Sequence, residues 1–369
     1  MRKLFAKAVL FVAFIPFHCS SQSGGTQHQS PEKVRNIILL IGDGMGISQL
    51  QAAMVVSLDM MNIEQFNNIG FTKTHSASSF VTDSGASGTA IATGHKSYNG
   101  GIGVDRDTIP QTSILEYASQ SGKATGLVVS CEITHATPAA FYTHQESRDM
   151  HEAIASDLVS SPVDLFIGGG IKYFNNRSDG IDLTKLLAER GYQVVRDIPH
   201  LEQVDSGKIA GLLYKKHPPR VTKGRGEMLS IAAGKAIEIL NQQPNGFFLM
   251  VEGSQIDSGG HDHDTDYIVE EMIDFDKVIG LALEFAKMDQ NTLVIVTSDH
   301  ETGGMSLHEG DPIEGVIVAK YTTGDHTGVM VPVFAYGPHS ELFRGIYDNT
   351  GIFFRMMQAF GIEPRKEKP

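Results

Sequence analysis

Cysteine, tryptophan and basic side chains are scarce in this sequence. It has two cysteines and no tryptophan in 369 residues, and its net charge of −13 reflects 43 acidic against 30 basic residues. Two cysteines are too few for a disulfide framework, and we expect any metal site to be built from nitrogen and oxygen ligands. A protein that binds nucleic acid needs clustered lysine and arginine residues, and the sequence has no such cluster. A nucleic-acid-binding surface is therefore excluded.

The rest of the composition is that of an ordinary globular protein. Apolar residues make up 41% and charged residues 20%, which excludes a disordered chain, a collagen and a coiled coil. Glycine is frequent, with 39 residues, as in an α/β enzyme with many tight turns. The 15 histidines and 43 acidic residues are enough to supply the ligands of a metal centre.

The N-terminus predicts export. Two basic residues follow the initiator methionine, and an apolar stretch interrupted by one lysine then runs from Leu4 to Phe17. This stretch is shorter than the ~20 apolar residues that a membrane-spanning helix needs. Residues 1–19 are therefore interpreted as a signal peptide.

Cys19, directly after the apolar stretch, leaves two outcomes open. It is either the lipid attachment site of a lipoprotein or part of an ordinary cleaved signal, since the two residues before it are not small. Residues 20–34, rich in Ser, Gly and Gln, are interpreted as a flexible tether. The chain is thus expected in the periplasm, or anchored at the outer membrane through a lipid on Cys19.

Apolar runs alternate with helical patterns along the rest of the chain. Six short runs predict buried strands: residues 36–41, 126–130, 164–170, 246–252, 292–297 and 331–336. Four segments predict helices: residues 113–121, 228–241, 267–288 and 351–361. The alternation predicts an α/β fold, a three-layer α/β/α sandwich with a large, mostly parallel central sheet. No linker divides residues 35–369, so we expect a single catalytic domain.

Five segments at predicted strand exits and turns contain the candidate functional residues: Asp43, Ser84, the run from Glu252 to His261, the pair Asp299 and His300, and His326. Each segment alone also fits a plain structural interpretation, such as a glycine turn, a capped helix start or a solvated loop. A glycine pair at 259–260 favours a loop or a first helical turn over a regular helix in the third segment. Asp299 and His300 are adjacent, so they can share a metal only if the strand ends before them.

The combination of these segments predicts a metal-dependent site for an anionic substrate. Ligands of open α/β sheets bind beyond the carboxyl ends of the strands, where these residues fall. The carboxylates among them are Asp43, Glu252, Asp257 and Asp299. Without counter-ions they would repel one another and any phosphate. Together, four carboxylates, a serine alkoxide, three dications and one arginine would have a net charge of about +2, which suits a phosphoryl dianion.

The run Asp83-Ser-Gly-Ala-Ser-Gly-Thr-Ala resembles the nucleophile motif of the metal-dependent alkaline phosphatase family, in its bacterial exported form. The run His135-Ala-Thr-Pro-Ala-Ala with Arg148 resembles the family's next block, and the resemblance spans residues 36–361. It implies that Ser84 is the nucleophile and that Asp83 orients Arg148. Arg148 would bind the phosphate, with His135 beside it.

The resemblance also implies three cation sites. Their ligand sets would be Asp257, His261 and His326 for one zinc, Asp43, Asp299, His300 and Ser84 for a second zinc, and Asp43, Thr137 and Glu252 for one magnesium. His135 stands where many bacterial members have an aspartate, which leaves the identity of the third ion open. Ser258 stands where a longer side chain is common, which leaves substrate affinity and pH optimum open.

The implied activity is hydrolysis of phosphate monoesters through a phosphoseryl intermediate, with release of inorganic phosphate and an alcohol. Small phosphomonoesters are the expected substrates, and a monomer or a homodimer is the expected assembly. Two alternatives stay open. A phosphodiesterase could use the same metal scaffold, although Arg148 favours monoesters. An exported solute-binding lipoprotein would have a similar size and tether, but it would require the ligand-type residues to be a coincidence.

Overall fold

The computed structural model describes residues 34–363. The expected signal peptide, the lipidation at Cys19 and nearly all of the expected tether lie outside the described residues, so they stay predictions. Within residues 34–363, no helix combines the length and the apolar character that a membrane span requires.

Fourteen strands form in the described part of the chain: β1 (Asn36–Gly42), β2 (Asn68–Lys73), β3 (Ala124–Glu132), β4 (Leu165–Gly169), β5 (Tyr192–Val195), β6 (Lys208–Tyr214), β7 (Phe247–Gly253), β8 (Thr292–Thr297), β9 (Glu301–Thr302), β10 (Ser306–Asp311), β11 (Val316–Lys320), β12 (His326–Thr327), β13 (Val331–Tyr336) and β14 (Gly345–Asp348).

Twelve α-helices lie between or after these strands: α1 (Ile47–Ser57), α2 (Ser84–Thr93), α3 (Ile114–Gln120), α4 (Ala136–Ala139), α5 (His151–Ser160), α6 (Lys172–Asn175), α7 (Leu183–Glu189), α8 (Ile198–Glu202), α9 (Met228–Leu240), α10 (Ile256–His261), α11 (Thr265–Asp289) and α12 (Thr350–Phe360). Short 3₁₀ helices form at Asn62–Gln65, Val221–Lys223 and Ser340–Phe343. All six predicted strands and all four predicted helices are present, with ends that differ by one or two residues at most.

Ten strands form one sheet in the order β14-β2-β13-β8-β1-β7-β3-β4-β6-β5. Neighbouring strands are parallel except at β13, which is antiparallel to both β8 and β2. The remaining four strands form two small antiparallel pairs, β10 with β11 and β9 with β12. The predicted large, mostly parallel sheet is confirmed.

The side chains of β1 show how both faces of the sheet are covered. Ile37, Leu39 and Ile41 belong to a buried cluster that includes residues of α2, α3, α5, α7 and α12. Ile38 and Leu40 point the other way, into a cluster with residues of α1, α8, α9 and α11. Because successive strand side chains alternate between faces, a strand that is apolar at every position must be covered on both sides. The three-layer α/β/α arrangement is therefore confirmed.

Candidate active site

The candidate residues gather at one edge of the sheet. The adjacent strands β8, β1, β7 and β3 are parallel, so their C-terminal ends face the same way. Asp43 directly follows β1, Glu252 is the penultimate residue of β7, and Asp299 lies two residues beyond β8. This is the edge at which α/β folds bind their ligands.

Ser84 is the first residue of α2 and is only 2% exposed. Asp83 caps this helix, because its Oδ1 accepts a hydrogen bond from the backbone N–H of Ala86 at 2.9 Å. The hydroxyl oxygen of Ser84 lies 3.2 Å from Nε2 of His300. The partial positive charge at a helix N-terminus stabilises a negative charge there. The helix therefore favours an ionised Ser84 oxygen.

Arg148, in the connection between α4 and α5, is held by two partners. Its Nη1 donates to Oδ2 of Asp83 at 2.9 Å, and its Nη2 donates to Nε2 of His135 at 3.3 Å. Burial alone would raise the pKa of Asp83, but the Ala86 hydrogen bond and the Arg148 charge lower it below its ordinary value. The predicted pairing of Asp83 with Arg148 is thus present in the geometry, with the aspartate ionised.

Asp257, His261 and His326 form the first cluster of ligand-type atoms, all within 4.8 Å of one another. Of the loop or first helical turn expected here, the structure has the helical form, since Asp257 and His261 both lie in the six-residue helix α10. The two glycines of this helix are needed for packing: a Cβ at Gly259 would lie 2.8 Å from Ile268, and one at Gly260 would lie 2.9 Å from Thr302. The four-residue helical spacing brings Nε2 of His261 to 3.3 Å from Oδ2 of Asp257.

Backbone carbonyl groups orient both histidines of this first cluster. Nδ1 of His261 donates to the carbonyl of Gly324 at 2.8 Å, and Nδ1 of His326 donates to the carbonyl of Thr82 at 2.9 Å. Each Nε2 therefore faces Asp257, as in histidines that ligate metals. Hydrogen bonding with Asp257 raises the pKa of His261 to about 9. The same atoms that share a proton here can share a dication.

Asp43, Asp299 and His300 form the second cluster, and all three side chains are fully buried. Strand β8 ends at Thr297, as the sequence required, and Nε2 of His300 lies 3.3 Å from Oδ2 of Asp299 and 3.5 Å from Oδ1 of Asp43. Gly44 packs between the clusters with φ +74°, and its N–H donates to Oδ1 of Asp299 at 3.2 Å.

The electrostatics of the second cluster are those of acids crowded together without solvent. Burial and the neighbouring carboxylates raise the pKa of Asp43 well above its ordinary range, and burial with the charge of Asp257 raises that of Asp299 to about 6. Burial and the nearby His326 lower the pKa of His300 well below its ordinary value. The neutral imidazole and the crowded carboxylates are the forms that bind a dication.

Glu252 is the centre of the third cluster, which also contains Cys131 and His135. Oε2 of Glu252 accepts a hydrogen bond from Ser254 at 2.7 Å, and burial raises the pKa of this carboxyl to about 7. Thr137, which is predicted to bind the third ion, is fully buried in α4, the helix that begins directly after His135. Cys131 was not predicted as a site residue, although strand alternation places it on the same face of β3 as Val129, the register partner of Glu252.

Buried polar atoms without a hydrogen-bond partner converge on these clusters: both carboxylate oxygens of Asp43, Oε1 of Glu252, Oδ2 of Asp299, Oγ1 of Thr137 and Nδ1 of His135. Buried polar atoms are normally paired, because an unsatisfied one costs roughly 1–3 kcal/mol. Carboxylate oxygens with free lone pairs are ligands of zinc and similar dications. The residues present therefore fit a multinuclear cation centre.

Thr302 is a second site residue that was not predicted from the sequence. Its hydroxyl donates to Oδ1 of Asp257 at 2.5 Å and lies 3.2 Å from Nδ1 of His300. A hydroxyl that donates its only proton to Asp257 accepts from Nδ1–H of His300, which leaves Nε2 of His300 as the lone-pair nitrogen. Thr302 thus connects the first two clusters and sets the tautomer of His300.

The fold and these clusters define an α/β enzyme of the metal-dependent type. A family model described as alkaline phosphatase matches residues 34–322 and 316–362. Alkaline phosphatase 4 of Bacillus subtilis is 33% identical, with 92% of each chain covered, and the alkaline phosphatase of Escherichia coli is 31% identical, with 90% of this chain and 88% of that one covered. The solved alkaline phosphatase of the Antarctic bacterium TAB5 is 41% identical with a TM-score of 0.85, covering 90% of this chain and all of that one.

The chain belongs to the alkaline phosphatase family, whose members are metal-dependent enzymes that hydrolyse phosphomonoesters. The resemblance found in the sequence motifs is confirmed at the level of family, fold and enzyme class.

Proposed function

We propose that this chain hydrolyses small phosphate monoesters with Ser84 as the nucleophile. The observation that carries the proposal is the position of Ser84, whose hydroxyl stands at a capped helix N-terminus 3.2 Å from His300 and next to the Asp83–Arg148 pair. One hydroxyl therefore has a dipole that stabilises its anion, a neighbouring histidine of the proposed cation centre and an arginine suited to phosphate.

The Ser84 oxygen attacks phosphorus, the bond from phosphorus to the leaving alcohol breaks, and the phosphoryl group is transferred to Oγ. Water then attacks the phosphoserine, which restores the hydroxyl and releases inorganic phosphate. The helix N-terminus favours the Ser84 alkoxide in the first step and the same alkoxide as leaving group in the second.

Arg148 is proposed to hold the phosphoryl group. A guanidinium has five N–H donors, and one goes to Asp83 and one to His135, so three remain for the non-bridging oxygens. Paired N–H groups match two oxygens of a phosphate in one plane. A diester has one such oxygen fewer than a monoester in its full charge state, so this contact favours monoesters.

The cation centre is proposed to follow the family pattern: one Zn²⁺ held by Asp257, His261 and His326, a second by Asp43, Asp299 and His300 with Ser84, and a third ion held by Asp43, Thr137 and Glu252, for which the family resemblance implies Mg²⁺. When bound, such ions offset the carboxylate charge, lower the pKa of a coordinated hydroxyl or water and stabilise the leaving oxygen.

We propose that the chain is exported by residues 1–19 and that residues 35–369 form its single catalytic domain. Residues 20–34 would act as a tether, either to a lipid on Cys19 or as a free N-terminus after cleavage. Labelled palmitate incorporated into the full chain and lost in Cys19→Ser distinguishes the two outcomes.

The reaction class is tested by steady-state hydrolysis of p-nitrophenyl phosphate and bis-p-nitrophenyl phosphate across neutral and alkaline pH, with and without Zn²⁺ and Mg²⁺. We expect zinc-dependent monoester turnover that far exceeds diester turnover. Faster diester turnover would contradict the role of Arg148 and support a phosphodiesterase. Absence of turnover with metal bound would support a binding protein on the same scaffold.

A further inference from the structure

We propose that Cys131 is a thiolate ligand of the third cation site, and that this site takes Zn²⁺ or Co²⁺ in preference to Mg²⁺. The inference deepens the proposed function and rests on its metal centre. The sequence predicts a metal site built only from nitrogen and oxygen ligands. The structure instead places Cys131 of strand β3 beside Glu252.

The distances around Cys131 match the edges of a metal coordination shell. Sγ of Cys131 lies 3.3 Å from Oε2 of Glu252, and ligand atoms of Cys131, His135 and Glu252 all lie within 4.8 Å of one another. In a tetrahedral zinc site with Zn–S of ~2.3 Å and Zn–O of ~2.1 Å, the sulfur and oxygen ligands are ~3.6 Å apart. Cys131 and Glu252 can therefore bind one ion with only small side-chain shifts.

Unpartnered buried atoms beside Cys131 give an independent sign of a ligand. Oε1 of Glu252 and Oγ1 of Thr137 have no hydrogen-bond partner, and both residues are fully buried. The thiol of Cys131, which is 1% exposed, donates to Oε2 of Glu252 and lies 3.3 Å from the carbonyl of Glu132. A cation bound by Cys131 and Glu252 would replace the thiol proton and give Oε1 of Glu252 a partner.

Cys131 is better placed to ligate this ion than His135. Arg148 donates to Nε2 of His135, which places the imidazole proton on Nδ1. If Nδ1 bound the ion, the imidazole proton would move to Nε2. There it would point at the N–H donor of Arg148. Ligation by Cys131 needs only the release of the thiol proton to solvent, so the negatively charged sulfur is the donor that the cluster can offer.

The donor type sets the preferred ion. Thiolate sulfur favours zinc and cobalt, whereas magnesium takes carboxylates, carbonyls and water and seldom takes sulfur. With Asp43, Glu252 and Thr137 alone the site is an oxygen site of the magnesium type. With Cys131 added, it is a mixed sulfur and oxygen site of the zinc type.

The test uses the full chain with Cys19→Ser, in which Cys131 is the only cysteine. The protein is stripped of metal with a chelator and titrated with Co²⁺, and the near-ultraviolet absorption of a sulfur-to-cobalt charge transfer is recorded. We expect this band to appear as the third equivalent of Co²⁺ binds. The additional change Cys131→Ser should abolish it, and excess Mg²⁺ should then displace the third Co²⁺.

The outcome does not depend on phosphatase activity. Three bound equivalents of Co²⁺ without the charge-transfer band would overturn the proposal, since Cys131 would then be a packed thiol that only donates to Glu252. Binding of only two equivalents would also overturn it. The parent Cys19→Ser chain decides the matter even if Cys131→Ser fails to fold, and a lack of monoester turnover with the band present would count against the proposed function alone.

Discussion

Asp83→Asn separates two roles that one carboxylate has in the active site. Oδ1 of Asp83 caps helix α2 through the N–H of Ala86, and Oδ2 accepts from Arg148 at 2.9 Å and from the N–H of Gly100 at 3.1 Å. An asparagine keeps a side-chain oxygen for the cap. Its amide NH₂ then takes the place of Oδ2 and points at the N–H groups of Arg148 and Gly100, which are donors themselves. Arg148 therefore loses the acceptor that holds it.

The size of the effect follows from the bond that is lost. A hydrogen bond to a charged group contributes about 1.5–3 kcal/mol, and each 1.4 kcal/mol changes a binding constant tenfold. If Arg148 holds phosphate and Asp83 holds Arg148, Asp83→Asn should raise the inhibition constant of inorganic phosphate by about ten- to a hundredfold. The constant is measured as competitive inhibition of p-nitrophenyl phosphate hydrolysis.

Asp83→Ala is the matched comparison, because it removes the cap as well. We expect the same weakening of phosphate inhibition. Both variants lose the bonds of Oδ2 to Arg148 and Gly100, so the free energy of unfolding should fall in both, and by about 1 kcal/mol more in Asp83→Ala because the cap is lost as well. An unchanged phosphate inhibition constant in Asp83→Asn would refute the role assigned to the Asp83–Arg148 pair.

Three further predictions concern stability and metal retention. In chelator-treated protein the free energy of unfolding of the parent chain, relative to that of Glu252→Gln, should fall as pH rises from about 4 to 7, because Glu252, with a pKa of about 7, keeps a proton that the unfolded carboxyl has lost. A difference that stays constant or rises with pH in urea unfolding would contradict this. Thr302→Val should weaken zinc retention by about 10–100-fold in competition with a chromophoric chelator, whereas Thr302→Ser should retain it; equal loss in both variants would count against the hydroxyl. Gly260→Ala should lower the melting temperature because its Cβ would lie 2.9 Å from Thr302, whereas Gly234→Ala, in open space within a helix, should not; equal melting temperatures would contradict the packing argument.

The central strands and most of the site could be predicted from sequence because both depend on short-range patterns. The run of β1 is apolar from Ile37 to Ile41 and is followed by a glycine turn, which favours a short strand covered on both faces. The polar residues then follow the strand ends, as with Asp43 after β1 and Asp299 after β8. Parallel strands bring those ends together without any further information.

Local pattern was insufficient where tertiary packing decided the structure. Glycines usually favour a loop, but Gly259 and Gly260 lie in α10 because Ile268 and Thr302 leave no room for a Cβ. Strands such as β6 (Lys208–Tyr214) and β14 (Gly345–Asp348) are short or part exposed, so their apolar signal is weak. The pairing of Thr302 with Asp257 spans 45 positions of sequence, and no spacing rule predicts it.

The measurement that tests the account most directly is capture of the phosphoenzyme. Metal-loaded protein is mixed with a labelled phosphomonoester, quenched in acid to preserve a phosphoserine, and digested so that the labelled peptide can be identified. We expect label on Ser84 in the unaltered chain and in the control Ser79→Ala, an exposed serine in the segment before α2, and none in Ser84→Ala. Label that persists in Ser84→Ala, or that falls on another residue of the unaltered chain, would contradict the assignment of Ser84 as nucleophile.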